Sequence, residues 1–140
     1  MKKIEAYQHN LEGYNPFLIS DKWQVAFLNY ALEETLDKIE KLDVHYLTDE
    51  VFILTKGSVV LIGATIDKDV IIYETINMQP NIAYNIPKNM WHKIAMNEGS
   101  QVLIVENSNT HLGDFEFYDL SPVQKDQLKV AVNQCINIKN

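Results

Sequence analysis

The feature that most constrains the fold is a series of short apolar segments between Val44 and Glu106. Each segment is rich in β-branched and aromatic residues, and successive segments start about ten residues apart. The stretches KGS, DKD, QPN, PKN and NEGS separate them and supply turn residues. Short strands at this spacing indicate an antiparallel sandwich or barrel and not an α/β fold. The predicted strands are EVFILTK, SVVLIGATI, DVIIYETI, AYNIP, WHKIAMN and SQVLIVEN.

The segments on either side complete one predicted domain. Residues 1–20, which contain NLEGYNPF, are predicted to form an irregular arm, and the barrel is expected over residues 21–118. It begins with a strand, KWQVAFLNYAL, followed by EETLDKIEKLD, whose pattern suits a helix, a strand or a loop. Residues 119–140 are predicted to form a C-terminal helix packed outside the sheet. Ser121 and Gln124 have the spacing of a capping box, and an apolar stripe follows them.

Composition excludes several classes of partner. The net charge is −7, with 12 basic and 19 acidic residues. Nucleic-acid binding needs clustered cations, and anionic membranes repel a chain of this charge, so neither partner is expected. Cys135 has no second cysteine to pair with, which is typical of a reducing compartment. No apolar run is long enough to cross a membrane, and no signal peptide is recognised, so a cytoplasmic location is predicted.

Two histidines and a glutamate are the candidate functional residues. His45 precedes a predicted strand, Glu50 opens it, and His92 shares a face with apolar neighbours on a later strand. Imidazole and carboxylate together suit Zn, Fe, Ni or Mn, and three protein ligands leave one coordination position for water or substrate. A histidine on a strand is also often a hydrogen-bonded core residue, so a site without metal stays open. The remaining histidines, His9 and His111, are expected at the surface or in loops.

These residues carry a resemblance to the cupin superfamily of small jelly-roll barrels. The first cupin motif runs glycine, five residues, His-x-His, three or four residues, glutamate, six residues, glycine. His45 corresponds to its second histidine, Glu50 to the glutamate and Gly57 to the last glycine. The second motif runs Pro-x-Gly, two residues, histidine, three residues, asparagine, and Pro87 and His92 match it. The resemblance implies an all-β double-stranded β-helix, here with a C-terminal α-helix.

The resemblance covers Trp23–Asn107 and departs from the cupin motifs at four positions. Asp37 replaces the opening glycine, Asp43 the first histidine, Asn89 the glycine after proline, and Met96 the asparagine. Metal-binding cupins use three histidines and one glutamate. The resemblance therefore implies a metal site of His45, Glu50 and His92, with Asp43 as a candidate fourth ligand.

The predicted function is binding of a small molecule in the barrel, by a metal-dependent enzyme of the isomerase, lyase or oxygenase type. The alternative is a metal-free module that binds a sugar or small acid without catalysis. A third hypothesis is a mainly structural role through dimerisation, and a homodimer is expected with either of the others. The cavity is predicted to be lined by Phe52, Tyr84, Ile94 and Met96.

Overall fold

Two antiparallel sheets of five strands each form the body of the protein. The structure is a computed structural model that describes residues 3–137. Its strands are β1 Gly13–Ile19, β2 Trp23–Asn29, β3 Lys41–Val44, β4 Glu50–Lys56, β5 Val59–Asp67, β6 Val70–Asn77, β7 Ala83–Ile86, β8 Trp91–Met96, β9 Gln101–Asn107 and β10 Glu116–Asp119. Its helices are α1 Thr110–Gly113 and α2 Pro122–Asn137, with 3-10 turns at Leu32–Glu34 and Leu36–Lys38.

The strand order identifies a jelly roll, as the sequence predicted. The first sheet runs β1-β2-β9-β4-β7 and the second β10-β3-β8-β5-β6, so strands distant in sequence lie side by side. Period-2 alternation directs one face of each strand inward. The inner core between the sheets contains Leu28, Phe52, Leu54, Leu61, Ile94, Met96, Val102 and Ile104. This core surrounds the candidate site.

The C-terminal helix covers the outer face of the second sheet. Leu128 and Val132 of α2 are buried against Ile62 and Ile71 of that sheet. The capping box forms as predicted: the Gln124 backbone N–H donates to Ser121 Oγ (3.2 Å), and the Ser121 N–H donates to Gln124 Oε1 (2.8 Å). Residues 138–140 of the predicted helix lie outside the described residues. Among residues 3–137, no helix has the length and apolar character needed to cross a membrane.

Two strands, β1 and β10, were not predicted, and a third, β3, forms where helix, strand and loop were all left open. Part of the predicted irregular arm forms β1, an edge strand that pairs with β2, and residues 1–2 of the arm lie outside the described residues. Its register shifts between Pro16 and Leu18, and an edge position tolerates a proline because one side of the strand needs no partner. The ambiguous stretch EETLDKIEKLD forms 3-10 turns and the start of β3, and β10 was not predicted.

The last glycine of the first motif has a structural role in the turn between β4 and β5. Gly57 has φ +76°, and a Cβ atom at this position would lie 2.7 Å from Ser100 Cα and clash with Ser100 Oγ. That hydroxyl accepts from the Ser58 N–H (3.0 Å) and donates to the Ser58 carbonyl (2.9 Å). A side chain at position 57 would therefore strain the turn and displace a hydrogen-bonded neighbour.

We expect Gly57→Ala to lower the free energy of unfolding by about 3 kcal/mol, because backbone strain and overpacking add. Gly99→Ala is the matched control, since Gly99 has φ +83° and nothing within 4 Å of its would-be Cβ. It should cost only the strain, about 1 kcal/mol. Urea denaturation measures both values, and equal losses would show that Ser100 moves aside without cost.

Candidate metal centre

Three side chains from three segments meet inside the barrel. His45 follows β3, Glu50 begins β4, and His92 lies on β8. On β4 and β8, the alternation of inward and outward residues turns Glu50 and His92 toward the core. One nitrogen or oxygen from each residue lies within 4.8 Å of the other two. We call this set the His–Glu cluster, and it brings together three of the four ligands predicted from sequence.

Both imidazoles of the His–Glu cluster face one carboxylate oxygen. Glu50 Oε2 lies 2.7 Å from His45 Nε2 and 3.5 Å from His92 Nε2. The side chains are 14% exposed for His45, 8% for Glu50 and 6% for His92. The rings lie side by side, with centroids 5.1 Å apart. The cluster is therefore compact and largely withdrawn from water.

The backbone fixes the orientation of each imidazole. His45 Nδ1 lies 2.6 Å from the carbonyl oxygen of Asp114, and His92 Nδ1 lies 3.0 Å from that of Met90. A carbonyl only accepts hydrogen bonds, so the proton of each neutral ring belongs on Nδ1. Nε2 is then the atom that presents a lone pair to the centre of the cluster. Metal-binding histidines are commonly held in this way.

Without a metal, the His–Glu cluster favours charged side chains. Burial lowers the pKa of His45, but the hydrogen bond and the charge of Glu50 outweigh it and raise the pKa to about 9. The pKa of His92 is also raised, because Glu50 overcomes the opposing effect of burial. Burial raises the pKa of Glu50, yet the two histidines lower it overall. The metal-free state is thus a buried ion pair.

A second carboxyl group, missed by the sequence analysis, lies beside the cluster. Glu106 of β9 is paired with Glu50 of β4 and faces inward. Its Oε1 accepts from the Tyr14 hydroxyl at 3.0 Å and from Gln24 Nε2 at 3.3 Å. Gln24 Nε2 also lies 3.0 Å from Nδ1 of His111, which is partly exposed and also lines the cavity. We call these four residues the Glu106 network.

Burial, followed by the charge of Glu50, raises the pKa of Glu106 to about 7. A carboxyl group with this pKa exists in both protonation states near neutral pH, which suits a proton donor or acceptor. Alternation along SQVLIVE places Glu106 on the same face as Val102 and Ile104, so the sequence did contain a signal for it. Tyr14 had no such signal, because β1 was not predicted.

Asp43, the candidate fourth ligand, lies outside the His–Glu cluster. Asp43 is paired with His92 across β3 and β8, and it lines the same cavity. Asp43 Oδ2 lies 3.5 Å from Lys93 Nζ, and Oδ1 is buried without a hydrogen-bond partner among residues 3–137. Glu34 borders the cavity near them.

The cluster opens into a cavity of about 190 Å³ between the sheets. Of the residues predicted to line it, Phe52 and Ile94 do so. Met96 does not, because it is buried further along β8 among core residues. Tyr84 lies on the edge strand β7, where its hydroxyl accepts from the Gln79 N–H, and it borders a separate groove. Leu28 and Ile104 complete the apolar wall.

Comparisons with solved structures support the fold. BH2720 from Bacillus halodurans is similar over 79% of this chain and 80% of its own, at 16% identity and a TM-score of 0.53. A cupin-2 domain containing protein from Shewanella frigidimarina matches 71% of this chain and 84% of its own, at 20% identity and a TM-score of 0.46. The chain shares the jelly-roll fold of BH2720. No family model and no curated protein matches it.

The same barrel occurs within a longer protein. CapF, the capsular polysaccharide assembling protein of Staphylococcus aureus, matches 81% of this chain at 16% identity and a TM-score of 0.52. The match spans 34% of CapF, so this chain corresponds to about a third of that protein. Structural similarity at such low sequence identity shows the fold alone, and a jelly roll hosts many reactions.

Proposed function

We propose that this chain binds one divalent metal ion through the His–Glu cluster and acts on a small organic molecule held in the cavity. The observation that carries the proposal is the direction of the two imidazoles. Their Nδ1 atoms are held by carbonyl oxygens, so their Nε2 lone pairs converge on a single carboxylate oxygen. Converging lone pairs repel one another unless a cation or added protons lie between them.

The residues present suit a metal. Glu50 Oε2 is buried and, while both imidazoles are neutral with their protons on Nδ1, accepts no hydrogen bond from residues 3–137. Two imidazole nitrogens and one carboxylate oxygen are ligands that Zn, Fe, Ni and Mn accept. Three protein ligands also leave coordination positions open toward the cavity, as in catalytic sites. His45, Glu50 and His92 would therefore hold the ion.

The other cavity residues supply binding and proton transfer. A bound divalent ion would polarise a substrate oxygen as a Lewis acid. Leu28, Phe52, Ile94 and Ile104 offer an apolar wall that excludes water from the bound molecule. Glu106, held by Tyr14, is placed to accept or return a proton. Proton transfer beside a polarised oxygen favours isomerase or lyase chemistry over oxygenation.

The proposal is tested by metal analysis of untagged protein purified without a nickel column. We expect near-stoichiometric metal in the wild type by mass spectrometry, and its loss in the His45→Ala/His92→Ala double variant. The single variant His9→Ala is the control, because His9 does not line the cavity. Wild-type protein that stays metal-free after soaking with Zn, Fe, Ni and Mn would contradict the proposal.

A metal-free binding module is the second candidate, favoured by one observation. His45 with a pKa near 9 and a Glu50 carboxylate 2.7 Å away form a stable ion pair with no ion present. In that case protons on both Nε2 atoms satisfy Glu50, and the cavity binds a sugar or small acid without turnover. Catalysis that disappears in His92→Ala would exclude this candidate.

We also propose a homodimer formed through the outer face of the first sheet. No helix covers that face in the described part of the chain, and its partly exposed side chains include Val25, Phe27, Val51, Leu103 and Val105. An uncharged apolar sheet face of this kind is typical of an interface.

Val105→Lys should convert the dimer to a monomer, because like charges would meet near a two-fold axis. We expect the dissociation constant of the dimer to rise by at least about 100-fold. Val130→Lys on the exposed side of α2 is the control. Light scattering measures the mass, and a wild-type monomer would rule out the interface.

A further inference from the structure

A second polar group lines the cavity beside the His–Glu cluster and is formed by Glu34, Asp43 and Lys93. We propose that this group selects substrates by accepting a hydrogen bond from a hydroxyl or ammonium group of the bound molecule. The inference rests on the proposed function, because it names the substrate class of the same cavity. It also gives Asp43 a role in recognition in place of metal ligation.

The carboxylate of Asp43 contains the recognising atom. Asp43 and His92 are directly paired across β3 and β8, and residues paired in this way project to the same face of the sheet. Lys93 Nζ lies 3.5 Å from Oδ2, whereas Oδ1 is buried and accepts no hydrogen bond from residues 3–137. A buried acceptor in this state is unfavourable unless a ligand or water donates to it.

The neighbours of Asp43 make this part of the cavity short of donors. Burial raises the pKa of Glu34, Lys93 opposes that effect, and the charge of Asp43 adds to it. Lys93 therefore contacts the carboxylate of Asp43 and acts on Glu34 only through its charge. A ligand that brings a further donor is favoured here, whereas a phosphate or carboxylate would face the charge of Asp43.

The size and lining of the cavity narrow the class further. Its volume of about 190 Å³ equals that of about six water molecules at roughly 30 Å³ each. Phe52 and Ile94 provide an apolar surface for the carbon skeleton. The structure thus favours a small neutral or cationic alcohol or amine over an anionic metabolite.

Titration calorimetry with three five-carbon probes tests the inference: 1,5-pentanediol, 5-aminopentan-1-ol and glutarate. Each is measured with metal-loaded and with chelator-treated wild type, Asp43→Asn and Glu34→Gln, alongside metal content by mass spectrometry. Asp126→Asn on the exposed face of α2 is the matched control. We expect the diol or the amino alcohol to bind at least about tenfold more tightly than glutarate to chelator-treated protein. Asp43→Asn should remove at least about tenfold of that affinity while retaining metal.

The outcomes separate this inference from the proposed function. Loss of metal in Asp43→Asn would make Asp43 a ligand and overturn the inference. It would also be overturned if glutarate bound most tightly, if neither donor probe bound at tens of millimolar, or if neither variant weakened binding. If the wild type contains no metal and Asp43→Asn still weakens binding of the diol or the amino alcohol, the metal proposal is contradicted and the recognition role is supported. Glu34→Gln keeps the test decisive if Asp43→Asn does not fold.

Discussion

Adding a divalent ion to metal-free protein is expected to raise its melting temperature by about 10 °C. Binding at a free concentration of about 1,000 times Kd stabilises the folded state by about 4 kcal/mol. For a chain of 140 residues that free energy corresponds to a shift of roughly 10 °C. Differential scanning fluorimetry with Zn, Mn, Ni and anaerobic Fe measures the shift for each ion and ranks them.

Glu50→Gln should lose most of this thermal shift. The amide keeps the size of the side chain but removes the charge on which both imidazoles converge. Glu98→Gln, in an exposed turn, is the control and should respond like the wild type. An undiminished shift in Glu50→Gln would mean that the ion binds somewhere other than the His–Glu cluster.

The metal-free protein is expected to lose stability as the pH rises from about 6.5 to about 9. The pKa of His45 is raised from 6.5 in the unfolded chain to about 9 in the folded protein, so the folded state holds the proton more tightly. This contribution is complete below pH 6.5 and is lost as the pH rises through 9. We expect a loss of about 2 kcal/mol, less than the full shift implies, since the ring is partly screened by solvent.

On the acid side the sign reverses. The pKa of Glu50 is lowered from its ordinary value of 4.5, so its stabilisation is complete above pH 4.5 and is lost as the pH falls below that value. Urea denaturation in the presence of a chelator should therefore show a maximum near pH 4.5 and not a plateau, because the pKa of Glu106, raised to about 7, makes stability fall as the pH rises from 4.5 to 7. His45→Gln should lessen the decline between pH 7 and 9, above the pKa of Glu106, and leave the contribution of His92. A wild-type profile that is flat from pH 7 to 9 would show that the ion pair does not form.

Metal-loaded protein should behave differently over the same range. Binding of the ion expels protons from His45 and His92, so the stabilisation gained from metal should grow as the pH rises toward 9. The difference between the two profiles reports on the cluster without any knowledge of the substrate.

The alternation of apolar residues accounts for how well the barrel could be predicted. EVFILTK and SQVLIVEN each turn one face into the core, so their local pattern and their final environment agree. The strands β1 and β10 escaped prediction because Pro16 and nearby charged residues weaken the pattern. They form because neighbouring strands offer backbone partners, which no local segment reveals.

The candidate site divides in a similar way. His45, Glu50 and His92 were identified from residue type and motif spacing. The orientation of the histidines depends on main-chain carbonyls of Met90 and Asp114, whose side-chain identities carry no such information. Glu106 enters the site through long-range pairing of β4 with β9, which the linear sequence does not encode directly.

The contact between His45 and the Asp114 carbonyl also sets an order of events during synthesis. These residues are 69 positions apart, so the carbonyl that orients the ring leaves the ribosome long after the ring itself. Strand β2 likewise waits for β9 before the first sheet can close. Pairings of such long range form slowly. The nascent chain therefore lacks the complete His–Glu cluster, and loading of the proposed metal would follow completion of the barrel and not guide its folding.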